Sequence, residues 1–117
     1  MSLPRGSAPL ACLFYRAGSG AEPVRSWLKK LERAVRLEIG ADIQKVQWRW
    51  PVSRPLVGSM GGGLYEVRTS HEGDEYRVLF CVEDGAMILL HGFQKRTRKT
   101  PDRELRLARE RHEEVMG

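Results

Sequence analysis

The sequence predicts a single α+β domain over residues 1–117: an N-terminal strand, a helical hairpin, a sheet built around a three-strand meander, and a C-terminal helix. Three observations predict it. Two consecutive segments before residue 50 space their apolar residues as helices do. Three apolar runs of strand length follow residue 62, divided by turn-forming residues. A last segment, opened by Thr100-Pro101, returns to helical spacing. A chain of 117 residues can bury a core of this kind without disulfides or a structural metal.

Residues 1–8 are expected to be disordered, and Met1-Ser2-Leu3-Pro4-Arg5 lacks the apolar core and cleavage site of a signal peptide. Pro9–Arg16 is an apolar run of strand length, and Ala17-Gly18-Ser19-Gly20 is a loop. Glu22-Pro23 opens the first helix, since proline is tolerated in a first turn. Val24, Trp27, Leu28 and Leu31 form its stripe, with Lys29, Lys30 and Arg33 on other faces. A second helix is expected over Arg33–Trp48, with Val35, Ile39, Ile43 and Val46 as its stripe. Gly40 costs that helix about 1 kcal/mol relative to alanine and allows a short break. Two stripes of this kind want a sheet to cover.

Arg49–Gly62 is expected to be a loop. It holds Pro51, Pro55 and Gly58, and Trp50, Val52, Leu56 and Met60 could order it. The glycines at 61–63 are not followed by the helix, lysine and hydroxyl residue of a phosphate-cradling loop. The meander strands are Gly63–Thr69, Tyr76–Glu83 and Ala86–Phe93, joined by residues 70–75 and by Asp84-Gly85, the stronger hairpin signal. Alternation sets Tyr65 and Val67 against Glu66 and Arg68, and Tyr76, Val78 and Phe80 against Arg77, Leu79 and Cys81. If the aromatic faces pack on the helices, Arg68 and Arg77 share the far face. Pro101–Met116 is the closing helix, with Leu105, Ala108, His112 and Val115 on one side. Arg106–Glu110 and Arg109–Glu113 are its exposed i, i+4 pairs.

Composition narrows the function. The chain is 41% apolar and 30% charged, as a soluble globular protein is. No apolar run reaches the roughly 18 residues that span a bilayer, so membrane insertion is not expected and a cytoplasmic location is. Cys12 and Cys81 fall in strands without zinc spacing and read as buried reduced thiols. The net charge of +5 points to an acidic partner. Residues 1–62 carry a net +6 and residues 63–117 a net −1. The run Gln94-Lys95-Arg96-Thr97-Arg98-Lys99, with four positive charges and no negative one, is therefore a local feature of the second half. It stands between a strand and a helix, with Arg68 and Arg77 on neighbouring strands. A solvated face is one reading of it; a site for a polyanionic backbone is the other.

Among the histidines, His71 reads as solvated in a turn and His112 as structural near a helix end. His91 ends an apolar strand beside the basic run. It is either a satisfied core histidine or a group placed to move a proton. Glu66 is expected to be an exposed strand residue, with an ion pair to Arg68 as the alternative. No histidine pair or carboxylate cluster marks a metal site, and no metal or organic cofactor is expected. A nuclease built this way must work with cations. RNA permits that, because its own 2′-hydroxyl can attack the phosphorus. Arginines would supply bidentate charge stabilisation. A lysine crowded by other cations can act as acid or base near neutral pH, and Lys95, flanked by Arg96 and Arg98, is best placed. Tyr65 and Phe93 pack in the core by default, and Phe93 could otherwise stack on a base.

The series Gly63-Leu64-Tyr65-Glu66-Val67-Arg68, Tyr76-Arg77-Val78-Leu79-Phe80, Leu89-Leu90-His91-Gly92-Phe93-Gln94-Lys95-Arg96-Thr97 and Lys99-Thr100-Pro101 resembles the HigB-like, phage-derived branch of the RelE/ParE toxin superfamily. The resemblance spans about residues 62–111. It implies a compact α+β domain whose helical hairpin packs on a small antiparallel-rich sheet. It also implies the toxin of a bacterial toxin–antitoxin pair, with the RelE and HigB branches cutting mRNA on the ribosome by the 2′-hydroxyl route. By that resemblance Arg68, Arg77 and Lys95 match the family's phosphate-binding and catalytic cations. The family varies in its acid–base residues, and His91 transfers less directly. Phe93, Arg96, Arg98 and Lys99 would contact RNA. Arg96 stands where a second lysine is common, which keeps the charge but not the proton transfer. The Pro-rich 49–62 loop is longer than is usual. The implied partners are mRNA, the ribosome and an antitoxin with a helix-turn-helix fold. A ParE-like inhibitor of DNA gyrase and a non-enzymatic binding module are the rival readings.

Overall fold

The computed structural model describes residues 9–117, so the disorder expected for residues 1–8 lies outside the described residues. The elements run β1 (Ala11–Phe14), α1 (Pro23–Lys30), α2 (Arg33–Arg49), β2 (Val57–Gly61), β3 (Leu64–His71), β4 (Asp74–Glu83), β5 (Ala86–Lys95) and α3 (Asp102–Met116). One mixed five-stranded sheet orders them β1-β5-β4-β3-β2. Strand β1 runs parallel to β5, and every other pair is antiparallel.

The helical stripes do what their spacing requires. Val24 of α1 and Val35, Ile39, Ile43 and Val46 of α2 are buried against Val67, Tyr76, Val78, Phe80, Met87 and Leu89 on one sheet face. Helix α2 runs unbroken through Gly40, which is exposed and lies outside the buried stripe. Trp50 closes the end of this core edge-on against Tyr65 and Phe80, with centroids 5.0 and 5.7 Å away. The other face carries a second, smaller core of Tyr15, Leu64, Leu79, Cys81, Leu90 and Phe93 under Ala108 of α3.

Several expectations need correction. The 49–62 segment is not all loop: Val57–Gly61 forms β2 and pairs with β3. Strand β4 begins at Asp74, because the preceding turn tightens to Glu72-Gly73. Both residues of that turn and of Asp84-Gly85 have positive φ, as two-residue hairpins demand. Strand β5 extends to Lys95. Cys12 is exposed on edge strand β1, whereas Cys81 is buried and burial pushes its thiol up to about 11. His71 is only 16% exposed and faces Glu38 at 3.3 Å. Arg109 donates to the carbonyls of Met60 (2.7 Å) and Gly61 (3.3 Å) rather than pairing with Glu113.

One irregularity in β5 decides which residues of its C-terminal half face α3. Leu79 pairs with His91 but Phe80 pairs with Leu89, so Leu90 is an extra residue in the strand. This β-bulge resets the alternation. Leu89 packs under the hairpin, yet Leu90 and Phe93 both enter the α3-side core. Gly92 then turns to the hairpin, where Trp27 lies against it.

Candidate nucleic-acid interface

Ladder register builds the site in three rows across the α3-side face. Glu66, Leu79 and His91 form one row; Arg68, Arg77 and Phe93 the next; Ser70, Glu75 and Lys95 the last. Arg68 and Arg77 are direct cross-strand partners. Like charges so placed repel, and a sheet holds them only with compensation. Two carboxylates supply it. Glu66 Oε2 accepts from Arg68 Nε at 3.2 Å, lies 3.2 Å from Arg68 Nη2, and lies 3.9 Å from Arg77 Nε. Glu75 Oε1 accepts from Arg77 Nη1 at 3.2 Å.

Glu66, expected at the surface, is 2% exposed. Strand β3 is interior to the sheet, with β2 on one side and β4 on the other. Above it, the Thr100 hydroxyl donates to Glu66 Oε1 at 2.8 Å. One buried carboxylate thus joins the β3 arginine to the basic β5–α3 loop. That loop is also tied to itself. Lys95 Nζ donates to the Arg98 carbonyl at 2.6 Å, and the Thr97 hydroxyl donates to the Lys99 carbonyl at 2.7 Å.

Between loop and sheet lies a cleft of about 430 Å³, where Arg54, Arg68, Lys95, Arg98 and Lys99 face two carboxylates, Glu66 and Asp102. A second cavity, of about 440 Å³, opens on the other side of Arg68 and takes in Arg77, Ser70, Glu75, Pro55 and Leu56. Arg77 is nearly enclosed. Its side chain is 7% exposed, Nη1 also donates to the Tyr76 carbonyl at 2.9 Å, and its buried Nε has no hydrogen-bond partner. Among the described residues, no three His, Cys, Asp or Glu side chains gather as metal ligands do.

The structure therefore brings together Arg68, Lys95, Arg98 and Lys99, with Arg77 beside Arg68 in the same row but outside the cleft lining. Three other sequence candidates lie elsewhere. His91 does not line the cleft. Its Nδ1 lies 3.3 Å from Arg111 Nη1 and its Nε2 lies 2.8 Å from Glu104 Oε1. A guanidinium only donates, so Nδ1 accepts and Nε2–H donates to Glu104. Burial depresses the imidazole pKa below its ordinary value, against the opposing pull of Glu104. Phe93 stacks on His91 at 5.8 Å and is 7% exposed, which leaves little ring for a base. Arg96 is exposed, bonds Gln94, and does not line the cleft.

Sequence reasoning missed Arg54, Thr100 and the burial of Glu66. Arg54 carries no local signal, since its place depends on how the 49–62 segment folds. Glu66 did have one: it shares a strand face with Arg68, two residues away.

No helix among the described residues is long and apolar enough to cross a membrane. No curated protein matches the chain. The family described as "Phage derived protein Gp49-like (DUF891)" matches residues 26–113, a span that contains every residue of the cleft. With most of its length so matched, the chain belongs to the Gp49-like phage-derived family, a RelE/HigB-type toxin-like family.

Proposed function

We propose that this protein is the toxin of a bacterial toxin–antitoxin pair and acts in the cytoplasm as a metal-independent endoribonuclease on mRNA bound to the ribosome. The observation that carries the reading is the cleft in which five cations from three chain segments face two carboxylates. Arg68, side chain 28% exposed and oriented by Glu66, takes the non-bridging oxygens of the scissile phosphate. The 2′-oxygen attacks phosphorus, the bond from phosphorus to the 5′-oxygen breaks, and a 2′,3′-cyclic phosphate and a 5′-hydroxyl result. The proton lost by the 2′-hydroxyl and the one gained by the leaving oxygen balance. Lys95, held by the Arg98 carbonyl, stabilises the charge that builds on the phosphate and serves the leaving oxygen. Arg54, Arg98 and Lys99 dock the flanking backbone. Arg77, buried beside Arg68 on the neighbouring strand, adds positive field rather than direct contact. A helix-turn-helix antitoxin covers this basic face in the resting cell.

The test is to induce the wild type and Arg68→Ala/Lys95→Ala in cells and map mRNA ends. New 5′-hydroxyl ends in the wild type that vanish in the double variant are expected. Equal cleavage by both removes the site. Intact mRNA with accumulating DNA breaks would select gyrase inhibition instead, and salt-sensitive RNA binding without growth arrest would select a non-enzymatic module.

A further inference from the structure

Glycine at position 58 has no conformational reason to be there. It lies inside β2, directly opposite Glu66, and its φ is not in the left-handed region. A glycine in a strand interior weakens the strand and marks a close approach by another group. Here the group is Arg68. A Cβ on residue 58 would lie 2.6 Å from Arg68 Nη2, 3.1 Å from Cζ and 3.3 Å from Nε. The guanidinium therefore rests on bare backbone, with the same Nη2 and Nε edge turned to Glu66 Oε2 at 3.2 Å. Glu66 is itself fixed by the Thr100 hydroxyl.

We infer that Gly58 and Glu66 together form a seat that fixes the Arg68 guanidinium before RNA arrives, and that both are positioning residues for it. This rests on the reading of Arg68 as the phosphate ligand. The floor is an absent side chain and the wall is a buried carboxylate. Nε and Nη2 are committed to the wall, which leaves the Nη1 edge for an anion in the cleft. A side chain on residue 58 displaces the guanidinium, and loss of the Glu66 charge frees it to rotate. Neither change touches substrate.

The experiment is a double-mutant cycle on the full chain. Two readouts are taken: affinity for a 2′-O-methyl oligoribonucleotide, which cannot be cleaved, and the rate of mRNA cleavage in cells. Gly58→Ala and Glu66→Gln are each expected to lose about 10- to 100-fold in cleavage, the scale of a misplaced catalytic group. Gly58→Ala/Arg68→Ala is expected to match Arg68→Ala within about twofold in both readouts, because the seat has no other use. Losses that multiply in the double variant, or wild-type behaviour of Gly58→Ala beside a damaged Arg68→Ala, overturn the inference. If Gly58→Ala does not fold, the cycle of Glu66→Gln with Arg68→Ala decides by the same rule. If Arg68→Ala alone changes neither readout, the phosphate-ligand reading fails first, and the two failures are distinguishable.

Discussion

Salt tests the cleft most directly. Neutralising Z phosphates of a single strand releases condensed counterions, and log affinity falls against log salt with a slope of about −0.7Z. The cleft holds five cations and two carboxylates. If both carboxylates cancel a cation, Z is three. If Glu66 and Asp102 stay outside the count, Z is five. The slope should then lie between about −2.1 and about −3.5, a loss of about 20- to about 130-fold in affinity between roughly 50 and 200 mM salt. Arg98→Ala/Lys99→Ala removes two exposed cations from the loop and should flatten the slope by about 1.4. Fluorescence anisotropy with a labelled 2′-O-methyl oligoribonucleotide measures both slopes. A wild-type slope shallower than about −1, or equal slopes for the two proteins, would refute the assignment of these cations to RNA.

Two further predictions concern what supports the cleft. In Gly92→Ala the new Cβ would meet Trp27 Cε3 at 2.4 Å and Cζ3 at 2.5 Å. The indole must shift, and overpacking of this kind costs about 1–3 kcal/mol. Urea unfolding should show that loss, while oligonucleotide affinity stays as in the wild type because residue 92 faces the hairpin; a change below about 0.5 kcal/mol would contradict the packing. The His91 pKa is depressed by burial, so below its ordinary value the folded protein binds fewer protons than the unfolded chain. The stability tied to the neutral imidazole is then complete above about pH 6.5 and declines as pH falls through the folded value. Protonation also sets the ring against Arg111 and Arg103, with Glu104 offsetting part of the cost. Melting temperature followed from about pH 7.5 to 5 should fall more steeply for the wild type than for His91→Gln; parallel curves would show that His91 is not the titrating group.

The parts of the fold that sequence revealed are those whose pattern is dense. Val35, Ile39, Ile43 and Val46 follow one another at three successive helical spacings, and all four are buried. Asp84-Gly85 named its own turn. Strand β2 was hidden because Gly58, Ser59 and Gly61 leave only Val57 and Met60 to mark an alternation. Pairing with β3, a tertiary fact, makes that segment a strand. The cleft was legible as a list of cations and less so as a place. Simple alternation assigns Arg68 and Arg77 a common face, and their register agrees. Lys95 could not be assigned that way. Counted from Leu89 in steps of two, His91, Phe93 and Lys95 all fall under the hairpin, and only the extra residue at Leu90 turns them to the other face. Glu66 looked like a surface residue because its burial depends on Thr100, thirty-four positions away in the chain.

That extra residue has a genetic meaning. It amounts to one codon. A deletion of Leu90 would remove the bulge and leave a regular ladder, with Leu79 still opposite His91, Gly92 still under Trp27 and Lys95 still on the face of Arg68, at the loss of one buried side chain from the α3-side core. The codon at this point adds core without moving the charges, so two chains that differ by this single gap would carry the same row of cations.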